Sequence, residues 1–281
     1  MNKNIHTFIG CDSEYAESKI VLFGAPFDST TSYRPGTRFA SSAIRNESFG
    51  IETYSPYLDK DLTDYKIFDG GDLELTFGNP KRALEDIEEF TSQIIKKGKL
   101  PFMIGGEHLV TLGAVSAAVK AYKDLHIIHF DAHADLREDY LGETLSHASV
   151  MRRCWDLVGD HKIYQFGIRS GDREEFKWGK DHVKTTKFTF EGLEDVIESL
   201  KGKPVYFTID LDVLDPSVFP GTGTPEAGGV TFLELLSAVR KVSKLNIVGL
   251  DMNELSPIYD QSGASTALAC KLVREILLVL V

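Results

Sequence analysis

An α/β fold with a central, mainly parallel sheet is predicted by two observations. Short apolar runs rich in β-branched and aromatic residues alternate along the chain with amphipathic helical segments, and polar motifs recur just after those runs. Such a sheet is covered by helices on both faces, so its strands read as continuous apolar stretches.

The elements follow in order. Ile20-Val21-Leu22-Phe23-Gly24 reads as the first buried strand, with a helix after the Thr37 region. Asn79 and Pro80 open a second helix whose apolar stripe is Leu84, Ile87, Phe90 and Ile94, closed by Lys96, Lys97 and Gly98. Next come a strand over 101–104, a helix from His108 to Tyr122 and the strand Ile127-Ile128-His129-Phe130. Strands over 162–168 and 205–209 flank a helix over 191–200. Thr231 and Glu234 form a capping box, with Val230 and Leu235 placed as a hydrophobic staple, so a helix begins there. Ile247-Val248-Gly249-Leu250 is the last strand, and a C-terminal helix starts near Ala264. No linker, repeat or low-complexity stretch interrupts the rhythm, which predicts a single domain over residues 1–281.

Composition narrows the function classes. Apolar residues make up 42% and charged residues 26%, as in an ordinary globular protein, and the formal charge is −11. That balance argues against a nucleic-acid or anionic-membrane surface, which needs clustered Lys and Arg, and is compatible with a cationic substrate. Cys11, Cys154 and Cys270 are isolated and odd in number, which fits a reduced cytoplasmic protein. The first ten residues carry no apolar signal-peptide core, and the apolar end from Ile276 to Val281 is too short to span a bilayer.

The chemistry sits after the strands. Asp131-Ala132-His133-Ala134-Asp135 follows one, Asp210-Leu211-Asp212 another, Gly105-Gly106-Glu107-His108 a third and Asp251-Met252-Asn253-Glu254 a fourth. Ligands of open α/β sheets gather beyond the carboxyl ends of the strands. On an extended segment Asp131, His133 and Asp135 project to one side, as do Asp210 and Asp212. Four carboxylates so close together repel one another unless cations neutralise them, and two divalent ions balance four negative charges. Oxygen and imidazole donors without thiolate suit Mn²⁺, with Fe²⁺, Co²⁺ or Zn²⁺ as substitutes. A hydroxide held between two ions and aimed at an electrophilic centre is the hydrolase logic of such a set, because a metal brings the pKa of its water to about 7. Taken alone, Asp210-Leu211-Asp212 reads as an Asx turn capping a helix. His6, His126, His129, His161 and His182 read as surface or satisfied core histidines, and the Gly-rich run at 220–225 as an ordered loop on the active-site side.

These motifs, with Ser146-His147-Ala148-Ser149-Val150-Met151-Arg152-Arg153 and the run from Pro220 to Gly229, resemble the ureohydrolase (arginase/agmatinase) family in order and spacing from about Phe23 to the C-terminus. The resemblance implies a three-layer α/β/α sandwich of arginase/deacetylase type, assembled into trimers or hexamers. It implies an agmatinase reaction, agmatine to putrescine and urea by attack of a metal-bridging hydroxide, and thus a step of polyamine biosynthesis. It also implies two Mn²⁺ per subunit. One would be held by His108, Asp131, Asp135 and Asp210, and the other by Asp131, His133, Asp210 and Asp212. Glu254 would bind the guanidinium, Asp135 would relay a proton to the leaving amine and His147 would be the proton-shuttle histidine. Glu107, Leu109 and Ala148 depart from the pattern of many relatives without removing a ligand.

The run from Leu136 to Ser146 sets Glu138, Asp139 and Glu143 against Arg137, which would suit a terminal ammonium if those acids face the site rather than solvent. Guanidinobutyrase or arginase activity is the nearest alternative. A two-metal phosphoesterase would need Arg or Lys beside the motifs, where Arg137, Arg152 and Arg153 stand, and a non-catalytic relative would normally lack ligands.

Overall fold

The computed structural model describes residue 1 and residues 4–281. Its elements in chain order are β1 (Ile20–Gly24), α1 (Ala40–Ser48), β2 (Tyr54–Ser55), β3 (Lys60–Asp61), β4 (Ile67–Asp72), α2 (Pro80–Lys96), β5 (Leu100–Ile104), α3 (Thr111–Ala121) and β6 (His126–Phe130). The second half holds α4 (Val150–Val158), β7 (Ile163–Ile168), α5 (Arg173–His182), β8 (Lys184–Lys187), α6 (Leu193–Ser199), β9 (Pro204–Asp210), α7 (Phe232–Val242), β10 (Asn246–Asn253) and α8 (Ala264–Leu280). Eight strands form one sheet in the order β4-β1-β5-β10-β9-β6-β7-β8, every pair parallel, while β2 and β3 make a separate antiparallel pair. Among the described residues, no helix is long and apolar enough to cross a membrane.

The three-layer sandwich follows from side-chain alternation along the strands. Ile20, Leu22, Phe102, Ile104, Ile128, Phe130, Phe207 and Ile209 pack on one side with α1, α6, α7 and α8. Val21, Phe23, Met103, Ile127, Ile163 and Tyr206 face α2, α3 and α4 on the other. Toward the strand ends this second face turns polar: His129, Gln165, Thr208, Asp251 and Asn253 are all buried there. Buried polar groups persist only where hydrogen-bonded, and these are bonded to one another and to the site above them.

Helix starts behave as their sequences predict. Asn79 Oδ1 accepts from Arg82 N at 3.1 Å with Pro80 at the first turn. Thr231 Oγ1 accepts from Glu234 N at 3.3 Å while Glu234 Oε2 accepts from Thr231 N at 2.8 Å, and Val230 and Leu235 lie buried in the same cluster. In α2 the buried stripe runs through Ala83, Ile87, Thr91, Ile94 and Ile95. Leu84 and Phe90 are half-buried at its margin, Phe90 against Phe23 with ring centroids 4.9 Å apart. The expected helix from His108 begins as a tight 3₁₀ turn over His108–Val110 before α3.

Four elements escape the apolar pattern for physical reasons. Four of the six residues of strand β4 are Asp or Gly, and β8 (Lys-Thr-Thr-Lys) carries no large apolar residue because both are edge strands, where charge discourages pairing with other chains. Helix α5 is mostly charged, and α4 directly follows a functional loop that masks its start.

A close backbone approach holds the β5 exit loop. Glu107 N donates to the Phe27 carbonyl at 2.8 Å, and a Cβ on Gly106 would fall onto the Phe27 backbone, 2.7 Å from its nitrogen. Neither backbone can retreat, so Gly106→Ala should lower stability by roughly 1–3 kcal/mol, measurable by denaturant unfolding.

Candidate active site and metal centre

The central strands β5, β10, β9 and β6 are adjacent and parallel, so their carboxyl ends deliver the four motifs to one rim. The local geometry differs from a simple extended run. Strand β6 ends at Phe130; Asp131 Oδ1 accepts from His133 N at 2.6 Å, and Asp135 adopts a left-handed backbone at φ 53°. Asp210 caps a 3₁₀ turn over Leu211–Val213, its Oδ1 accepting from Asp212 N at 2.8 Å. The capping and liganding readings of Asp210 are therefore both realised, one oxygen for each. Oδ1 fastens the turn, and Oδ2 lies 3.4 Å from His108 Nδ1.

Two groups of donors result. Around His108 Nδ1 stand Asp131 Oδ2 at 3.0 Å, Asp135 Oδ2 at 3.2 Å and Asp210 Oδ2 at 3.4 Å. Around His133 Nδ1 stand Asp212 Oδ2 at 2.9 Å and Asp131 Oδ1 at 3.5 Å. Asp131 belongs to both. His108 Nδ1 is buried without a hydrogen-bond partner while its Nε2 meets Thr208 Oγ1 at 2.9 Å. A buried, unpartnered imidazole nitrogen ringed by three carboxylate oxygens suits a cation, and oxygen and nitrogen donors suit a hard divalent ion. The donor set fits two such ions.

Electrostatics point the same way. Burial, then the Asp131 charge, pushes the Asp135 carboxyl up to about 7, and burial with the charges of Asp212 and Asp131 raises Asp210 well above the carboxylate range. Burial would raise Asp131 too, but His129, His108 and His133 outweigh it and hold it well below that range. His108 and His133, opposed by burial, are nonetheless raised by these carboxylates.

His129, which reads in the sequence as a satisfied core histidine, is buried and satisfied, but its partner is the shared carboxylate. Its Nε2 lies 2.7 Å from Asp131 Oδ2, and its Nδ1 accepts from Gln165 Nε2 at 3.0 Å. The signal for this was position: His129 precedes Asp131 by two on one strand, hence on the same face.

Glu254 and His147 share a cavity with the donors. Glu254 is buried in a left-handed conformation at φ 66°, accepts from His108 N at 2.7 Å through Oε1, and is raised well above its usual range by burial and by neighbouring Glu107. A strained backbone at a buried acid is tolerated where surrounding structure over-determines it, typically at functional sites. His147 starts a 3₁₀ turn capped by Ser146, and burial lowers its pKa to about 4. Both line a cavity of about 240 Å³ together with His133, Asp135 and Asp210.

At the cavity's outer end the expectation for the acidic loop is overturned. Glu138, Asp139 and Glu143 are exposed and do not line the cavity: Glu138 pairs with Arg152 at 3.1 Å, and Asp139 accepts from Gly142 N. Arg137 and Tyr140 face inward instead, joined by Asp172 and Glu175 from the start of α5. Arg137 lies 3.1 Å from Asp172 and 3.4 Å from Glu175. Arg152 lies over the Trp178 ring and Arg153 pairs with Asp156, so neither faces the cavity as a phosphate clamp. Thr224 of the Gly-rich loop lines the cavity, as that loop's expected placement requires.

Comparison with known proteins agrees with this architecture. The Arginase family model matches residues 18–279. The agmatinase of Bacillus subtilis is 51% identical over 96% of this chain and 95% of its own, and that of Bacillus anthracis 50% identical over the same shares. The crystal structure of the agmatine ureohydrolase of Thermoplasma volcanium superposes with a TM-score of 0.90 at 35% identity, covering 99% of this chain and 94% of that one. The chain belongs to the arginase family.

An occupied site requires Asp135 ionised and His108 and His133 neutral. Mn²⁺ binding should therefore release protons and tighten as pH rises from 6 to 8, by about tenfold per pH unit for each proton released. Calorimetric titration checks this, and an affinity flat or falling with pH would contradict these ligands. His133→Ala should lose metal and activity together, read by metal content and turnover; a fully active, metal-replete variant would remove His133 from the site.

Proposed function

We propose that this chain is a binuclear manganese hydrolase that cleaves the guanidinium group of agmatine, giving putrescine and urea. The observation that carries the reading is the pairing, at one cavity, of a donor set suited to two ions with a further buried carboxylate, Glu254. Two divalent ions balance the four Asp charges and leave Glu254 over, so the cavity retains an acid matched to a cationic substrate.

Bound by His108, Asp131, Asp135, Asp210, His133 and Asp212, two Mn²⁺ would supply an ionised water as nucleophile at neutral pH. The remaining work falls to side chains. Glu254 receives the planar guanidinium through charge-assisted hydrogen bonds and holds its carbon toward the donor set. Asp135, ionised at rest, takes the remaining proton of the attacking hydroxide and passes it to the leaving amine as its C–N bond breaks. His147 is neutral near pH 7, since burial lowers its pKa to about 4, and exchanges protons between cavity and solvent.

The outer end of the cavity supports a cationic tail. Arg137 is already engaged by Asp172 and Glu175, so this corner carries two acids against one base. Asp172 is held as the N-cap of α5, its Oδ1 accepting from Glu175 N at 2.9 Å, but its half-exposed Oδ2 can take up a terminal ammonium, whereas a tail carboxylate would meet two like charges. Agmatine is thus favoured over arginine and 4-guanidinobutyrate. The same reading carries over a trimer or hexamer from the family and places the enzyme in the cytoplasm, where its three buried free thiols stay reduced.

Urea release measured side by side from agmatine, arginine and 4-guanidinobutyrate, with the protein loaded with Mn²⁺, should give the highest kcat/KM for agmatine. Arginine turned over best would overturn the substrate assignment, and no urea from any of the three would overturn the reaction.

A further inference from the structure

His147 can exchange protons only through a ring nitrogen that reaches the cavity, and its surroundings decide which one. Nδ1 lies 3.0 Å from the Thr30 carbonyl oxygen. A carbonyl only accepts, so Nδ1 carries the proton and donates it. Nε2 is left as the acceptor, 3.0 Å from Ser32 Oγ, whose hydroxyl donates to it. Ser32 is exposed and lines the same cavity, so Nε2 is the nitrogen that meets both cavity and solvent.

Thr30 is itself held. Its Oγ1 accepts from His147 N at 3.2 Å and donates to Glu107 Oε1 at 2.5 Å, and its backbone N donates to Glu107 Oε2 at 2.9 Å. Thr31 Oγ1 adds a third bond to the same carboxylate at 3.1 Å. Glu107 is fully buried and anchored through its own N–H to Phe27, on the loop that runs on to Thr30. A buried carboxylate is costly unless its oxygens are satisfied, and all three hydrogen bonds that satisfy this one come from Thr30 and Thr31. Glu107 thus reaches a loop 77 residues upstream.

We infer that Glu107, acting through Thr30, is a positioning residue that locks His147 as the Nδ1–H tautomer and assigns proton exchange to Nε2, with Ser32 as the hydroxyl that meets it. This rests on the reading of His147 as the proton-exchanging group. Nε2 takes up one proton from a donor in the cavity as the Ser32 hydroxyl turns aside, and returns it to water. Throughout, Nδ1–H stays bonded to the Thr30 carbonyl, so the ring need not turn over between the two states.

Two measurements test the clamp. In the metal-free full-length protein, ¹⁵N NMR of the His147 ring should show the Nδ1–H tautomer in the wild type and a tautomer mixture in Thr30→Val. Glu107→Gln, which keeps the side chain's size but exchanges an acceptor for a donor, should show the same mixing. A wild-type ring protonated on Nε2 would overturn the inference. In the Mn²⁺-loaded protein, Thr30→Val should lower kcat for agmatine by about 10- to 100-fold with KM and manganese content unchanged, and Thr30→Ser should restore it. The loss should vanish in the His147→Asn background, since both changes act through one group. Losses that multiply in the double variant would overturn the coupling. Full activity of His147→Asn alone would instead overturn the proton-exchange reading, and the NMR result would still decide the tautomer.

Discussion

A single buried carboxylate organises the centre of this molecule. Asp131 sits fully buried at the end of β6, in the middle of the sheet, and its two oxygens face His129, His108, the His133 backbone and the His133 ring at 2.6–3.5 Å. Such a charge survives in a protein interior only when its lone pairs are taken up. The three imidazoles converge on Asp131 for that reason, and each is aimed by something behind it. Gln165 orients His129, Thr208 orients His108, and Asp212 orients His133. Thr208 passes the constraint on to Asp251, which is closed off by Tyr206 and Asn253. The polar layer on one face of the sheet is thus the set of supports that a dense site requires beneath it.

Much of this was legible in the sequence because the fold and the site obey the same rule. Parallel strands put all their carboxyl ends on one side, so apolar runs followed by polar motifs mark both the sheet and its rim. Ile20–Gly24, the β5 and β6 strands, β9 and the capped start of α7 follow from local signals. Edge strands β4 and β8 do not, since an edge needs polarity rather than apolar length. In the loop after β6, charge was legible but direction was not: Glu138, Asp139 and Glu143 turn outward while Arg137 turns in. Ser32 and Thr30 carry no motif of their own, and Asp172 with Glu175 forms only the capping box of α5; all four become site residues when the loops after β1 and β7 close over the rim.

Two of the seven left-handed non-glycine residues among those described fall in the same territory. Asp135 and Glu254 both adopt positive φ without being glycine, and each is the last acid of its motif. A left-handed residue reverses the chain, so the next segment leaves the rim and the side chain stays behind in the cavity. The cost is of order 1–3 kcal/mol at each such position, and the dense hydrogen bonding around them offsets it.

The wide sequence separation of the donors bears on how the protein acquires its ions. His108 meets Thr208 across 100 residues and Glu254 across 146, and the two donor groups draw on three strands threaded into the middle of the sheet. The segment 131–135 holds three of the six donors, but each group also needs Asp210 or Asp212 from the end of β9, so a complete set exists only once β6 and β9 have paired. A divalent ion held by these donors would arrive at a finished scaffold. It would stabilise the native state by mass action, while the route to that state is set by long-range strand pairing.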